Sequence, residues 1–212
     1  MKLLMHTCCA PCSVYCVDSL RAENIEPTIF WYNPNIHPFT EYKVRRDCLK
    51  DYAKMINAKL ILKEEYGLDE FCKNVVGDIS NRCVNYCYPK RLAETVKYAV
   101  ENGYDAFTTT LLVSPYQKHD ELKKVCEKLA KESGIKFLYR DFRVGFREGQ
   151  EKAKALGLYR QKYCGCIFSE EDRYKKEITR AGDAAWGTPG GAPATTGEDA
   201  AAGPARRDYA SF

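Results

Sequence analysis

No apolar run in the 212 residues approaches the roughly 20 that a helix needs to cross a bilayer. Met1-Lys2-Leu3-Leu4-Met5 passes straight into a His-Thr-Cys-Cys turn, so no leader peptide is expected at the start. No internal repeat is visible. Glycine is missing from the turn after that first apolar run, Thr7-Cys8-Cys9-Ala10-Pro11-Cys12-Ser13. A Ser-Gly-Gly-x-Asp-Ser loop, whose backbone would cradle phosphate, is therefore excluded there. The expectation is a cytoplasmic protein without membrane contact. Thiols stay reduced in that compartment, which gives the eleven cysteines their weight. They are too sparse for a disulfide scaffold, and their odd number cannot pair completely.

What is present is basic and uneven. The formal charge is +4, but residues 181–212 carry two arginines against four acids, so residues 1–180 carry about +6. That balance is compatible with a nucleic-acid partner and common in cytosolic enzymes. From Ala181 onward, nineteen of 32 residues are Ala, Gly or Pro, with no Leu, Ile, Val or Lys. Such a stretch cannot bury enough apolar surface to offset its ordering entropy, so it reads as a disordered tail of 181–212 outside a 1–180 domain.

Within 1–180, strand and helix signals alternate. Apolar or β-branched runs at Lys2–His6, Thr28–Tyr32, Lys59–Lys63, Ala106–Val113 and Lys136–Tyr139 read as strands. Helical patterns occupy Ser13–Glu23, Glu41–Ile56, Leu68–Val76, Lys90–Asn102, His119–Ser133, Glu148–Leu156 and Ser169–Arg180. Gly103 and Gly134 end the fourth and fifth of these. The alternation predicts an α/β fold, a mostly parallel sheet with helices on both faces.

Three cysteine groups stand out. Cys8-Cys9-x-x-Cys12 follows the first strand, at the carboxyl edge where open α/β sheets bind ligands. Cys83-x-x-x-Cys87 lies in a turn leading into the helix at Lys90, where a helix N-terminus favours thiolate. Two such pairs brought together make a four-thiolate site for a soft metal, zinc or an iron–sulfur cluster; adjacent ligands are unlike the usual zinc knuckle. Cys12, at a helix start, reads equally as a spectator or as a second metal ligand. Cys164-Gly165-Cys166 reads as a redox dithiol, since so small a ring closes into a strained, reducible disulfide; a single-ligand metal role is the alternative. Cys16, Cys48, Cys72 and Cys126, each isolated on a helix, read as packing. Asn and His at 33–37 and Gln117 with His119, on loops at the same edge, read either as turn chemistry or as contacts to a polar heterocycle. Arg140, Arg143, Arg147, Arg160 and Lys162 read as phosphate contacts or as a solvated face.

His6-Thr-Cys-Cys-Ala-Pro-Cys-Ser, Tyr32-Asn-Pro-Asn-Ile-His-Pro, Thr108-Thr-Thr-Leu-Leu-Val-Ser-Pro-Tyr-Gln, Asp141-Phe-Arg and Leu158-Tyr-Arg-Gln-Lys-Tyr-Cys-Gly-Cys-Ile together resemble the QueH-type epoxyqueuosine reductase family. The resemblance runs from about residue 3 to 176. It implies a Rossmann-like sheet of the adenine-nucleotide α-hydrolase (HUP) type and a [4Fe–4S] cluster. The implied reaction reduces the epoxide of epoxyqueuosine to queuosine in the anticodon loop of tRNA, with electrons from an external donor. Carried over by motif, Cys8, Cys9, Cys83 and Cys87 look like cluster ligands and Cys164 with Cys166 like the redox pair. An additional iron is the expectation if Cys12 also ligates. One departure is visible: three residues separate Cys83 from Cys87 where the family commonly has two, although Tyr88 and Arg91-Leu92 follow as usual. The competing classes are a tRNA-modifying ATP pyrophosphatase, which would need the missing glycine loop, and a zinc-stapled RNA-binding module.

Overall fold

The computed structural model describes residues 1–185. Met1–Lys175 forms one compact unit, and the end of the last helix belongs to a second. The element order is β1 (Leu3–His6), α1 (Ala10–Ala22), β2 (Pro27–Trp31), α2 (Phe39–Met55), β3 (Leu60–Leu62), α3 (Leu68–Val75), α4 (Tyr88–Glu101), β4 (Ala106–Thr109), α5 (His119–Ser133), β5 (Lys136–Phe137), α6 (Phe146–Ala155) and α7 (Ile167–Ala185). The five strands form one parallel sheet in the order β3-β2-β1-β4-β5. This is the expected Rossmann-like layout. The expected tail falls outside the described residues from 186 on, and 181–185 continue α7.

β1 is buried along its whole length, because helices cover both faces of the central strand. Its partners are set in register, with His6 opposite Phe30 on one side and Thr109 on the other. Leu3, Leu4, Met5, Phe30, Trp31, Phe107 and Leu112 form the centre of the core. Each such side chain contributes about 1.5–3 kcal/mol by leaving water. The chain leaves β1 toward β2 and β3 on one side, and β4 and β5 extend the sheet on the other. The strand order therefore reverses between β1 and β4, which opens a crevice at their carboxyl ends.

Two local expectations are corrected. The strand over Ala106–Val113 stops at Thr109, and Thr110–Val113 is a turn of 3₁₀ helix. The Thr109 hydroxyl accepts the Leu111 N–H at 3.2 Å, so a side-chain cap competes with further sheet pairing. The turn before Lys90 is helical: Cys83–Cys87 forms a π-helical turn that runs directly into α4 at Tyr88. Gly134 closes α5 in the left-handed conformation (φ 75°), as its position in the sequence suggests.

Candidate metal and redox site

Cys9 ends the loop after β1 in an extended conformation and precedes the first turn of α1, with Pro11 inside that turn. Proline is tolerated there because its missing N–H would have had no helical partner. Cys8, Cys9 and Cys12 thus gather at a helix N-terminus with no side-chain cap, where free N–H groups favour negative charge. Their sulfurs all lie within 4.8 Å of one another and all three residues are buried. Cys8 Sγ stands 3.8 Å from Cys9 Sγ and 3.5 Å from the Thr110 hydroxyl, and the Cys8 N–H donates to the same hydroxyl at 3.2 Å. Thr110 thereby ties the end of β1 to the end of β4 across the crevice.

The Cys12 and Cys9 thiols and the Thr110 hydroxyl, all turned toward Cys8, hold its sulfur well below the usual thiol range. Burial pushes Cys9 up, and Cys12 rises because its hydrogen bonds to Cys8 and Cys9 require its own proton. Of the three, Cys8 is the one its neighbours favour as thiolate, with Cys9 and Cys12 as donors to it. Gln161 adds a further donor, its Nε2 reaching Cys9 Sγ at 3.1 Å and Cys12 Sγ at 3.7 Å. Beneath the triad lies His6, fully buried, with its pKa lowered to about 3 by burial first and by Arg91 second. Nε2 faces the Tyr32 carbonyl at 3.3 Å, so that nitrogen carries the proton and Nδ1 accepts from the Thr109 hydroxyl at 2.9 Å. His6 is a neutral strut.

The second pair sits on the π-helical turn. Three intervening residues fit here because a π turn takes one more residue than an α turn and keeps the two thiols side by side. Hydrogen bonding from Cys87, with Arg91, Arg82 and Lys118 nearby, lowers Cys83 to about 6, while Cys87 is held up well above the thiol range. Arg91 is buried between the groups, its Nε donating to the Cys87 carbonyl at 2.9 Å and its Nη1 reaching Asn33 Oδ1 at 3.5 Å.

Cys164 and Cys166 differ. Cys164 is an exposed residue whose sulfur accepts Gln117 Nε2 at 3.4 Å. Gln117 is fixed in turn by the Tyr88 hydroxyl, which donates to Oε1 at 2.8 Å. Cys166 is buried with Phe71, Val75, Tyr86 and Cys87.

The sequence-derived residues are thus distributed in three sets. Cys8 and Cys9 meet Cys12 rather than Cys83 and Cys87 in the tight triad, which is the one group of three or more ligand atoms within 4.8 Å among the described residues. Cys16 and Cys126 are fully buried and Cys48 and Cys72 partly so, as packing requires. Asn33 is structural, its Nδ2 donating to the Thr7 carbonyl at 2.9 Å, and His119 pairs with the Tyr139 hydroxyl at 3.1 Å. Arg140 and Arg143 are engaged by Glu23 and Asp141, whereas Arg147, Arg160 and Lys162 are exposed with no ion pair among the described residues. Sequence reasoning assigned no role to Gln161, Thr110 or Arg91; the placing of Gln161 three residues before Cys164 is the signal that could have found it.

The donor set fits a soft, thiolate-bound metal: five sulfurs in two groups, two of them favouring the thiolate form without any cation, and an amide donating to sulfur. No helix among the described residues is long and apolar enough to cross a membrane.

Comparison with known proteins identifies the family. The family model described as "Epoxyqueuosine reductase QueH" matches residues 3–172. A protein of that name from Dehalococcoides mccartyi is 39% identical over 175 residues, covering 82% of this chain and 96% of the relative. Its namesake from Thermotoga maritima is 34% identical over 190 residues, covering 84% and 96%. Among solved structures, a predicted subunit of tRNA methyltransferase from Methanocaldococcus jannaschii superposes with a TM-score of 0.49 at 10% identity over 86% of this chain and 89% of that one. A likeness of that size adds nothing to the topology. With a match across nearly the whole described domain and relatives that align along almost their full length, the chain belongs to the QueH family of epoxyqueuosine reductases, which are oxidoreductases.

Proposed function

We propose that this protein reduces the epoxide of epoxyqueuosine in tRNA to the alkene of queuosine in the cytoplasm, using a thiolate-bound [4Fe–4S] cluster and the Cys164/Cys166 dithiol. The observation that carries the reading is the buried Cys8/Cys9/Cys12 triad after β1, with a second thiol pair at Cys83 and Cys87, in a QueH-family chain. Cys8, Cys9, Cys83 and Cys87 would hold the cluster. Thiolates that ligate separate irons stand further apart than thiolates sharing one ion, so a quartet of this kind need not form one tight group. The compactness of the Cys8/Cys9/Cys12 set supports Cys12 as ligand to an additional iron. Such a cofactor supplies one-electron transfer and Lewis acidity.

The chain's own groups supply the rest. The epoxide takes up two electrons and two protons, giving the alkene and water. The Cys164 and Cys166 thiols release two electrons and two protons when they close to a disulfide, so the two half-reactions balance. An external donor then returns the dithiol. Cys164, as the exposed member, is the one that donor can reach. Exposed Arg147, Arg160 and Lys162 support phosphate contacts along the tRNA backbone.

Iron and acid-labile sulfide, measured on protein purified without air, test the cofactor, and conversion of epoxyqueuosine-tRNA tests the reaction. The wild type is expected to hold about four irons and four sulfides for the cluster, and Cys87→Ser to lose both metal and turnover. A colourless zinc protein, or full occupancy and turnover in Cys87→Ser, overturns the assignment.

A further inference from the structure

The Cys164-Gly165-Cys166 segment has no regular structure of its own, yet the backbone here is gripped at three consecutive carbonyls, those of Tyr163, Cys164 and Gly165. Arg45, on α2, is 1% exposed. Its Nη2 donates to the Tyr163 carbonyl at 3.0 Å and its Nη1 to the Cys164 carbonyl at 2.7 Å, while its guanidinium lies 5.5 Å from the Tyr163 ring centre. Nε is fixed by Glu41 one helical turn earlier, at 2.6 Å, and Glu41 is itself oriented by the Tyr159 hydroxyl at 2.6 Å. From the other side, the His37 N–H donates to the Gly165 carbonyl at 2.8 Å and the Tyr163 hydroxyl to the His37 carbonyl at 2.7 Å. A Cβ on Gly165 would stand 3.3 Å from Ile36 and 3.5 Å from the Arg45 guanidinium, so the loop lies flat against both. A buried cation held in one geometry by a carboxylate and spending its remaining donors on the backbone of a distant loop is a positioning device.

We propose that Arg45 is a positioning residue that holds the Cys164–Cys166 loop in its dithiol conformation and thereby raises the reduction potential of the pair. The proposal rests on the redox role given to that pair above. In the gripped loop the sulfurs have different surroundings, Cys164 facing Gln117 and Cys166 packed against Phe71 and Val75. Bonding two sulfurs only one residue apart brings them to about 2 Å and requires the backbone between them to rearrange. The three carbonyl contacts therefore favour the open state. Stabilising the reduced form makes a couple more oxidising, hence more readily recharged by a weak donor. In exchange with glutathione disulfide, the two thiols lose two electrons and two protons, forming the protein disulfide and two molecules of glutathione.

Trypsin cuts after Lys162 and Arg173, leaving both cysteines and no other on one peptide. Cluster-loaded protein equilibrated without air in glutathione buffers, then alkylated and analysed by mass spectrometry of that peptide, gives the midpoint directly. Arg45→Met is expected to favour the disulfide by tenfold or more, about 30 mV to lower potential for a two-electron couple. Arg45→Lys, which keeps the charge without the fork, should fall between. Tyr163→Phe, which removes only the bond to His37, should move the midpoint the same way by less, and Arg45→Lys decides the matter if Arg45→Met does not fold. An Arg45→Met midpoint within a factor of two of wild type, or shifted toward the dithiol, overturns the clamp. If the wild type forms no Cys164–Cys166 disulfide at any poise, the redox reading of the pair fails first, and that result is distinct from an unshifted midpoint.

Discussion

The thiols at residues 8–12 and those at 164–166 are the same chemical group in two different settings. The first set is sealed, with Cys8, Cys9 and Cys12 each less than 10% exposed at the end of the central strand and the start of a helix. Its positions follow from rigid, local elements. The second set sits on a segment without helix or sheet pairing, has one cysteine exposed and one buried, and owes its shape to the Arg45 side chain of α2 and to the backbone of the loop after β2. A sealed, rigid group suits ligands that must not be exchanged. A segment held by a handful of removable contacts suits a pair that must open and close with each turnover.

Serine substitutions should separate the two sets most strongly. Cys9→Ser is expected to lose most of its iron and all activity, because a hydroxyl is a much poorer soft-metal ligand than a thiolate. Cys166→Ser should keep the metal-centred absorption and lose multiple turnover. Bleaching in Cys166→Ser, or an unchanged spectrum in Cys9→Ser, would erase the distinction between the sets.

Acid should act on the first region through His6. Its pKa is lowered to about 3 from an ordinary 6.5, so the folded protein holds it neutral while the unfolded chain protonates more readily. The stability this group contributes is complete above about pH 6.5 and is lost as pH falls toward 3. The slope is about 1.4 kcal/mol per pH unit, an order-of-magnitude loss of about 2 kcal/mol at pH 5. Urea unfolding of metal-free protein between pH 7 and 5 measures this, and His6→Gln should make the profile shallower, leaving the share of His37, whose pKa burial lowers to about 4. An equally steep profile in that variant would place the acid sensitivity elsewhere.

The smallest expected effect lies where the two regions touch. Gln161, on the segment leading to Cys164, donates to Cys9 and Cys12. Gln161→Leu should lower metal affinity about tenfold, as loss of an outer-sphere partner does, while leaving the Cys164/Cys166 midpoint unmoved. Competition with a chelator and the peptide assay read these two quantities independently.

Element order was legible because periodicity and glycine stops are local, and α5 falls where the pattern put it, His119–Ser133. The strand after Ala106 was read too long, since the β-branched run Thr108–Thr110 carries no mark of the hydroxyl cap that turns the chain at Thr109. The turn at Cys83–Cys87 was read as irregular for a related reason: a π turn has no hydrophobic period of its own. The thiol groups were found as groups because neighbouring cysteines announce themselves at short spacing.

The sequence by itself determined that a parallel sheet would form and that Cys8 and Cys9 would stand at its carboxyl edge, since strand-turn-helix order leaves a residue after β1 no other place. Only the tertiary structure decided that Cys12 completes the triad, that Gln161 reaches back 152 residues to Cys9, and that Arg45 spans 119 residues to the Cys164 carbonyl. Such contacts depend on which helix face packs against which loop. A charge at position 45 reads the same in the sequence whether it points to solvent or into the molecule.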